Sequence, residues 1–359
     1  RSFYYDAIEL TAQARDLTGS SKGAAISAHK LQLQSITAGM QKNFARFAYG
    51  DMRGILAQVN GGLAIGATVI AVDNPSMVTG SNGGARHLSP GMRVAFVTAN
   101  DVTIQAAVEV LSVAPNGMSF TIAAPGLPAA VEDNSLIYVC SSTSIPLGPA
   151  ATSAGISRNT DPMGLQGLVN DAAGFPTIFG LSRTLNPTLN SQVINVGGGL
   201  TDDIIQRIFE AAQMYGASNS LNPEDMRVLV EPNVLRAYLA LAQATRRIVG
   251  DSVQNPDIGT RAIHNRTNLT INGQEVIVSR NAPYGQMIVL NKKTLKKVNR
   301  FNGWIEDTGS MWKQKQVSGF FVDSYVAHWK YWGQYYMSEF RDSVRATNIT
   351  TSFVYYPTL

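Results

Sequence analysis

Few residues in this chain could do chemistry, and they are scattered. The four histidines, His29, His87, His264 and His328, stand far apart, with no pair at metal-ligand spacing. Cys140 is the one cysteine. It has no histidine or basic partner near it in sequence, so a buried thiol is the reading, with no disulfide framework. No Gly-x-Ser-x-Gly elbow and no paired-carboxylate motif is present. Gly197-Gly198-Gly199 precedes a predicted helix N-terminus, where backbone amides could cradle a phosphate. It lacks the P-loop lysine, and no G-x-G-x-x-G follows a strong strand, so it reads as a loop feeding a helix cap. Asn265-Arg266-Thr267 and Asn348-Ile349-Thr350 fit the glycosylation pattern, which has meaning only in a secreted eukaryotic protein. This inventory points away from an enzyme and predicts no catalytic residue, no metal and no cofactor.

Charge and aromatic clusters are the remaining candidates. Lys292, Lys293, Lys296, Lys297 and Arg300 form the densest basic run. Such a run suits DNA phosphates or a neighbouring subunit's carboxylates, and it also suits a solvated turn and edge. Residues 317–353 carry Phe320, Phe321, Tyr325, Trp329, Tyr331, Trp332, Tyr335, Tyr336 and Phe340. They could stack bases, but core and interface packing fits the strand-like pattern better.

The element that must position these residues is a long helix over residues 23–50. Leu33, Ile36, Met40, Phe44 and Phe47 recur at steps of three and four, which places them on one helical face. Gln32, Gln34, Gln41, Lys42 and Arg46 fall mostly elsewhere. Gly50 is a natural left-handed stop. At ~1.5 Å per residue the helix runs on the order of 40 Å, which is a spine for other elements to lie along.

The totals set bounds. The chain has 359 residues, with 45% hydrophobic, 15% charged and a net charge of +4. So little charge fits a surface buried against other chains, and it equally fits a β-rich domain of modest surface. The charge balance is not by itself a nucleic-acid signature. No apolar run approaches the ~20 residues that span a bilayer, so no membrane partner is expected. The chain opens at Arg1. A removed leader and a start at the first ordered residue are both open.

Along the chain, residues 1–22 read as an extended arm, with a short helix over residues 6–17 equally open. Residues 63–140 read as short strands, 68–72, 92–97, 103–113, 118–123 and 136–140, bounded by Asn82-Gly83-Gly84, Pro90-Gly91, Pro115-Asn116-Gly117 and Pro125-Gly126. That spacing suggests a small barrel or sandwich, inserted between joints at Gly61-Gly62 and Ser141-Ser142. Thr201 caps a helix with Asp202 and Asp203 in its first turn. Residues 226–230 form a strand, and Pro232 opens a second helix. Asn272-Gly273 marks a hairpin. Residues 200–300 therefore read as a mixed α/β unit, and the aromatic tail returns along the spine.

The order of parts resembles a known family. An arm runs into Gly23-Ala24-Ala25 and a long helix, which ends in Tyr49-Gly50-Asp51-Met52-Arg53-Gly54-Ile55-Leu56-Ala57. A β insert follows, then Gly164-Leu165-x-Gly167-Leu168-Val169, Phe179-Gly180-Leu181-Ser182-Arg183 and Asn186-Pro187. Later come Trp304-x-x-Asp307-x-Gly309 and the aromatic strand. This resembles the major capsid protein of tailed bacteriophages, the Hong Kong 97-type fold, an α+β architecture. The resemblance implies an N-arm and extended loop over residues 1–22 and a peripheral-domain spine helix over 23–59. It implies an inserted β domain over 60–142, a peripheral continuation over 143–199, an axial domain over 200–300 and returning peripheral strands over 301–359. It implies pentamers and hexamers of an icosahedral virion shell around double-stranded DNA, assembled in the bacterial cytoplasm. Scaffolding, portal and cement proteins would be its partners. Subunit interfaces are expected at Phe3, Tyr4, Tyr5, Arg15, Lys22, Arg46, Arg53, Trp304, Asp307, Trp312 and Lys313. The basic run would face DNA. Isopeptide cross-linking is not expected, because the arm offers only Lys22. An encapsulin-type compartment shares this fold and is the alternative. A carbohydrate-binding module on the β insert is a more distant one, since the insert clusters few aromatics.

Overall fold

The stretch with three- and four-residue spacing folds as one α-helix, Lys22–Tyr49, in the computed structural model. Its 28 residues extend about 42 Å. The structure describes residues 2–11, 22–74, 83–144, 148–149, 155–216, 225–244, 270–271, 274–306, 312–317 and 320–351. The fold is mixed α/β and divides into two units. One draws on three separated stretches, Arg1–Met52, Thr160–Leu165 and Lys296–Tyr336. The other comprises Arg53–Asn159, Gln166–Leu295 and Met337–Leu359.

In the first unit the helix accompanies a four-stranded sheet. The sheet is built on Phe320–Met337, an 18-residue strand of about 60 Å. Ser2–Thr11 pairs antiparallel along it, from Ser2 opposite Gly333 to Thr11 opposite Ser324. Leu295–Trp304 and Lys313–Val317 also pair with it. The first residues are thus a strand, which settles the choice between arm and short helix over the described part. Met40 and Phe47 are buried, and Phe44 meets Tyr331 edge-on with centroids 4.6 Å apart. Leu33 and Ile36 lie outside the residues whose side chains are described.

Gly50 ends the helix without taking the left-handed geometry expected of it. Met52 (φ 74°) and Gly54 (φ 84°) take it instead. The glycine that packing demands is Gly164. A Cβ there would fall 2.7 Å from the backbone N and O of Gly50, closer than side-chain carbons approach backbone. This close approach lets residues 160–165 strap the helix end, with Asp51 bridged to Met163.

The second unit contains a barrel and a mixed sheet. The barrel order is Arg93–Val97, Leu136–Val139, Ala57–Val59, Val69–Asp73, Ser119–Ile122, Thr103–Val113 and Gly148–Pro149. Pairing between Arg93–Val97 and Thr103–Val113 closes it. Alternation fills the interior with Val59, Ile70, Val72, Phe96, Phe120 and Ile137. Ala95, Val97, Ile104 and Tyr138 form a second buried cluster, so Arg93–Val97 is covered on both faces. The barrel starts at Ala57, ahead of the Gly61-Gly62 joint. Ala57–Val59 pairs with both Val69–Asp73 and Leu136–Val139, and glycines downstream of it do not interrupt that pairing.

The mixed sheet runs Gln192–Gly198, Val344–Ile349, Met287–Asn291, Met226–Val230, Gln274–Val278, Thr270–Ile271. Helices Asp202–Tyr215 and Pro232–Ala244 bury Ile208, Phe209 and Val234 in the same core as Val228, Val289 and Val344. Thr201 caps the first helix, its hydroxyl accepting from the Ile204 amide at 3.3 Å. Ile271 stands opposite Gln274 in an antiparallel pair, and Asn272-Gly273, where the turn is expected, lie outside the described residues. One boundary needs correction. Val344–Ile349, expected to return with residues 301–359 to the peripheral strands, belongs to this sheet. Val344 and Ala346 are fully buried between two neighbouring strands, which an edge return would not require. Likewise residues 166–199 belong to this unit, and Lys296–Trp304 belongs to the other.

Glu231 ties the parts of the second unit together. It is 2% exposed, and its carbonyl accepts from the Leu235 amide at 3.1 Å, so it caps Pro232–Ala244. Burial pushes its carboxyl up to about 7, against the pull of Arg86 and the amides of Gly285 and Val234. Arg86, from the barrel's short turn, donates to the carbonyls of Arg280 (2.8 Å) and Ala282 (3.1 Å). The unfolded chain titrates this carboxyl near 4.5. Between that value and about 7 the folded state holds the extra proton, so this group's contribution to stability declines as pH rises through that window. The total loss is roughly 3 kcal/mol. We expect Glu231→Gln to flatten the decline in urea midpoint between pH 5 and pH 7.5. Parallel curves for the two proteins would contradict this account.

Candidate functional site

The sheet of the first unit offers two different faces, because successive side chains on a strand point to opposite sides. Tyr331 and Ala327 are buried on the side of Phe44. Lys297 lies over three rings there, 6.0 Å from the Phe44 centroid, 5.5 Å from Tyr331 and 5.6 Å from Tyr335. Burial pushes the Tyr331 hydroxyl up to about 12, so it stays neutral beneath that ammonium. Trp332 alternates with Tyr331 and stands on the other side. Arg300 lies 4.6 Å from its ring centroid and Lys330 5.6 Å.

The residues expected at interfaces are distributed as follows. Phe3, Tyr4 and Tyr5 lie on the edge strand, opposite Trp332, Tyr331 and Lys330 in register. Lys22 opens the long helix. Trp304 is half-buried and meets Trp329 edge-on at 5.0 Å. Trp312 is half-buried, and Lys313 is exposed opposite Val326. Arg15 and Asp307 lie outside the described residues. Arg53 belongs to the second unit, where its carbonyl accepts from the Asn159 amide at 3.0 Å. Arg46 is turned inward, its Nη1 2.8 Å from Asp161 Oδ2 and its guanidinium 4.8 Å from the Phe47 centroid. Burial pushes the Asp161 carboxyl up, and Arg46 opposes that shift.

The basic run is divided between the two units. Lys292 and Lys293 occupy a turn in the second unit, where Lys293 Nζ lies 2.5 Å from Asp225 Oδ2 and Lys292 Nζ 4.0 Å from Oδ1. Lys296, Lys297 and Arg300 follow on a strand of the first unit, and alternation sends Lys297 to the opposite side from the other two.

Sequence reading missed a buried arginine in the second unit. Arg183 has no exposed surface. Its Nη2 donates to the carbonyls of Gly167 (2.8 Å) and Leu168 (3.1 Å), while Nε and Nη1 have no hydrogen-bond partner. Burial pulls its pKa down to about 10. The turn it anchors presents Phe179, Leu181 and Leu185 outward, Leu185 being 81% exposed. The signal available in sequence was an arginine within an otherwise apolar and turn-forming stretch.

Among the described residues no group of three His, Cys, Asp or Glu could hold a metal ion. Burial pushes the Cys140 thiol up to about 11, so it is not a nucleophile at neutral pH. No described helix is long and apolar enough to cross a membrane.

No protein-family model matches the chain. No curated protein matches it either. Among solved structures it is similar to the capsid of cyanophage A-1(L), at 16% identity and a TM-score of 0.38, covering 54% of this chain and 62% of that one. It is similar to the mature capsid of bacteriophage PhiM1, at 15% identity and a TM-score of 0.30, covering 49% and 57%. It is also similar to the SrpI encapsulin of Synechococcus elongatus, at 12% identity and a TM-score of 0.29, covering 54% and 59%. The match therefore spans about three-fifths of each of these chains.

The Arg46–Asp161 pair yields a test of role. If it is internal, removing one partner strands a buried charge. Arg46→Met alone is expected to cost about 3 kcal/mol, and Arg46→Met with Asp161→Leu considerably less. Urea unfolding of the two variants measures this. Equal losses would show that the two side chains are uncoupled and overturn the internal role.

Proposed function

We propose that this chain is a major capsid protein of the Hong Kong 97 type, which assembles into an icosahedral shell around the double-stranded DNA of a tailed bacteriophage. The observation that carries this reading is the composition of the first unit. A helix of 28 residues accompanies a sheet built on an 18-residue strand, and an arm strand is added along that sheet. The chain leaves this unit after residue 52 and re-enters it at residues 160–165 and 296–336, having built a barrel and a mixed α/β sheet in between. On this reading Lys22–Tyr49 is the spine helix of the peripheral domain. The barrel is the insert, and the mixed sheet with its two helices is the axial domain.

The mechanism is assembly. Individual contacts between copies are weak, but a closed shell multiplies them, so avidity holds it. The arm strand and the apolar turn with Phe179, Leu181 and Leu185 are the contact elements this reading favours. Pentamers and hexamers would place one sequence in two environments. Scaffolding, portal and cement proteins would be its partners.

Electron microscopy of the purified protein, produced alone and with its genomic neighbours, tests the proposal. Closed shells or rings of five and six subunits are expected. Nuclease-resistant DNA inside shells made with the neighbours would separate a phage capsid from a compartment loaded with protein. A chain that stays monomeric in both preparations, crowding agents included, would overturn the capsid reading.

A further inference from the structure

The side of the first unit's sheet that carries Trp332 gathers cations from three strands. Residues directly opposite one another in an antiparallel pair share a face. Glu9 and Lys313 both stand opposite Val326, and Lys330 and Trp332 follow on the same side of that strand. Lys315 lies there too, 2.6 Å from Glu9 Oε2. Arg300 lies over Trp332, and Lys296 shares its side by alternation. The face therefore holds Lys296, Arg300, Lys313, Lys315 and Lys330, and Glu9 is the carboxylate described among them.

We propose that this face binds duplex DNA through its phosphate backbone. The linear run of residues 292–300 is not the binding element. Three of its five cations are tied to Asp225 or stacked on the helix side. From Val326 to Trp332 the cations are spread over about 20 Å of strand, and the four residues from Arg300 to Lys296 add about 13 Å. That length matches roughly one turn of duplex, which carries a charge every ~1.7 Å of axis. Arg300 and Lys330 are already held against the indole, so less side-chain freedom is lost on binding. The same contacts occupy Trp332, which favours the backbone of a duplex over stacking with single-stranded bases. A protein partner would call for both signs of charge across the contact, whereas the described residues of this face, five cations and Glu9, complement a polyanion. The inference goes beyond the capsid reading and does not require assembly.

The test is fluorescence anisotropy of a 30-base-pair duplex with the unassembled protein, titrated at several salt concentrations. Light scattering on the same samples records the assembly state. Wild type is expected to bind with a slope of log K against log salt near about −4. Arg300→Gln with Lys330→Gln is expected to weaken binding about tenfold or more and to make the slope shallower by about 2. Lys296→Gln with Lys313→Gln, which leaves the Trp332 stack intact, is expected to do the same. Lys292→Gln with Lys293→Gln is the control and should change affinity less than about twofold. Circular dichroism confirms that each variant is folded. The proposal is overturned if the control pair weakens binding as much as the face variants, or if the slope is unmoved in both face variants. It is overturned equally if polyglutamate displaces the duplex at lower charge concentration, which would assign the face to an acidic protein. Shells that assemble while their subunits fail to bind DNA would remove this inference and leave the capsid reading intact. A DNA-binding protein that never assembles would do the opposite.

Discussion

The pairing of Phe320–Met337 with three other strands is the constraint on which the first unit depends. A strand of this length cannot stand alone, because its backbone amides and carbonyls need partners on both edges. Ser2–Thr11 supplies one edge, and Leu295–Trp304 and Lys313–Val317 supply the other. Alternation then forces a division of labour. Tyr331 and Ala327 must be covered, and the long helix presents Phe44 to Tyr331. Trp332 and its cations are left to the outside. A slip of one residue in register would exchange the two sets, so the aromatic pattern fixes the register as firmly as it fixes the strand.

The second unit rests on a different principle. Its barrel closes on itself and needs little beyond local alternation. Its mixed sheet takes strands from residues 192–198, 226–230, 287–291 and 344–349, and is held together by a single apolar core. Polar groups are placed where these pieces meet. Arg86 reaches from the barrel to the carbonyls of Arg280 and Ala282. Arg345 donates to the Gln166 carbonyl at 3.0 Å and to Asn170 Oδ1 at 3.2 Å. Such polar contacts specify one arrangement more than they add stability.

Local pattern made much of the fold legible. The helix, the capping by Thr201, the antiparallel pairing on either side of residues 272–273 and the short strands between residues 63 and 140 follow from spacing and turn chemistry. What periodicity could not give was partnership. Nothing within Val344–Ile349 says that it pairs with Gln192–Gly198, and nothing within Ala57–Val59 says that it joins the barrel, because both depend on strands far away in sequence. The surface residues divided in the same way. Reading 292–300 as one basic run ignored the turn at residues 292–294 and the alternation that follows it. Arg46 looked like a surface cation because its partner, Asp161, is remote in the chain. Arg183 was overlooked because an arginine is expected outside, and only a set of inward carbonyls makes burial tolerable.

The threefold passage of the chain through the first unit also bears on the order in which it can fold. The barrel is complete within residues 57–149, so its contacts close soon after synthesis. The helix and the arm strand cannot. Glu9 and Lys315, paired in the finished sheet, are 306 residues apart. At a ribosome that adds about 5–20 residues per second, the first fifty residues wait on the order of tens of seconds for the strand they need. During that interval the apolar stripe of the helix has no sheet to cover it. Long-range pairing of this kind is slow to form and exposed to wrong partners, including the same segment on other chains. The helix is therefore the segment on which a chaperone would be expected to act.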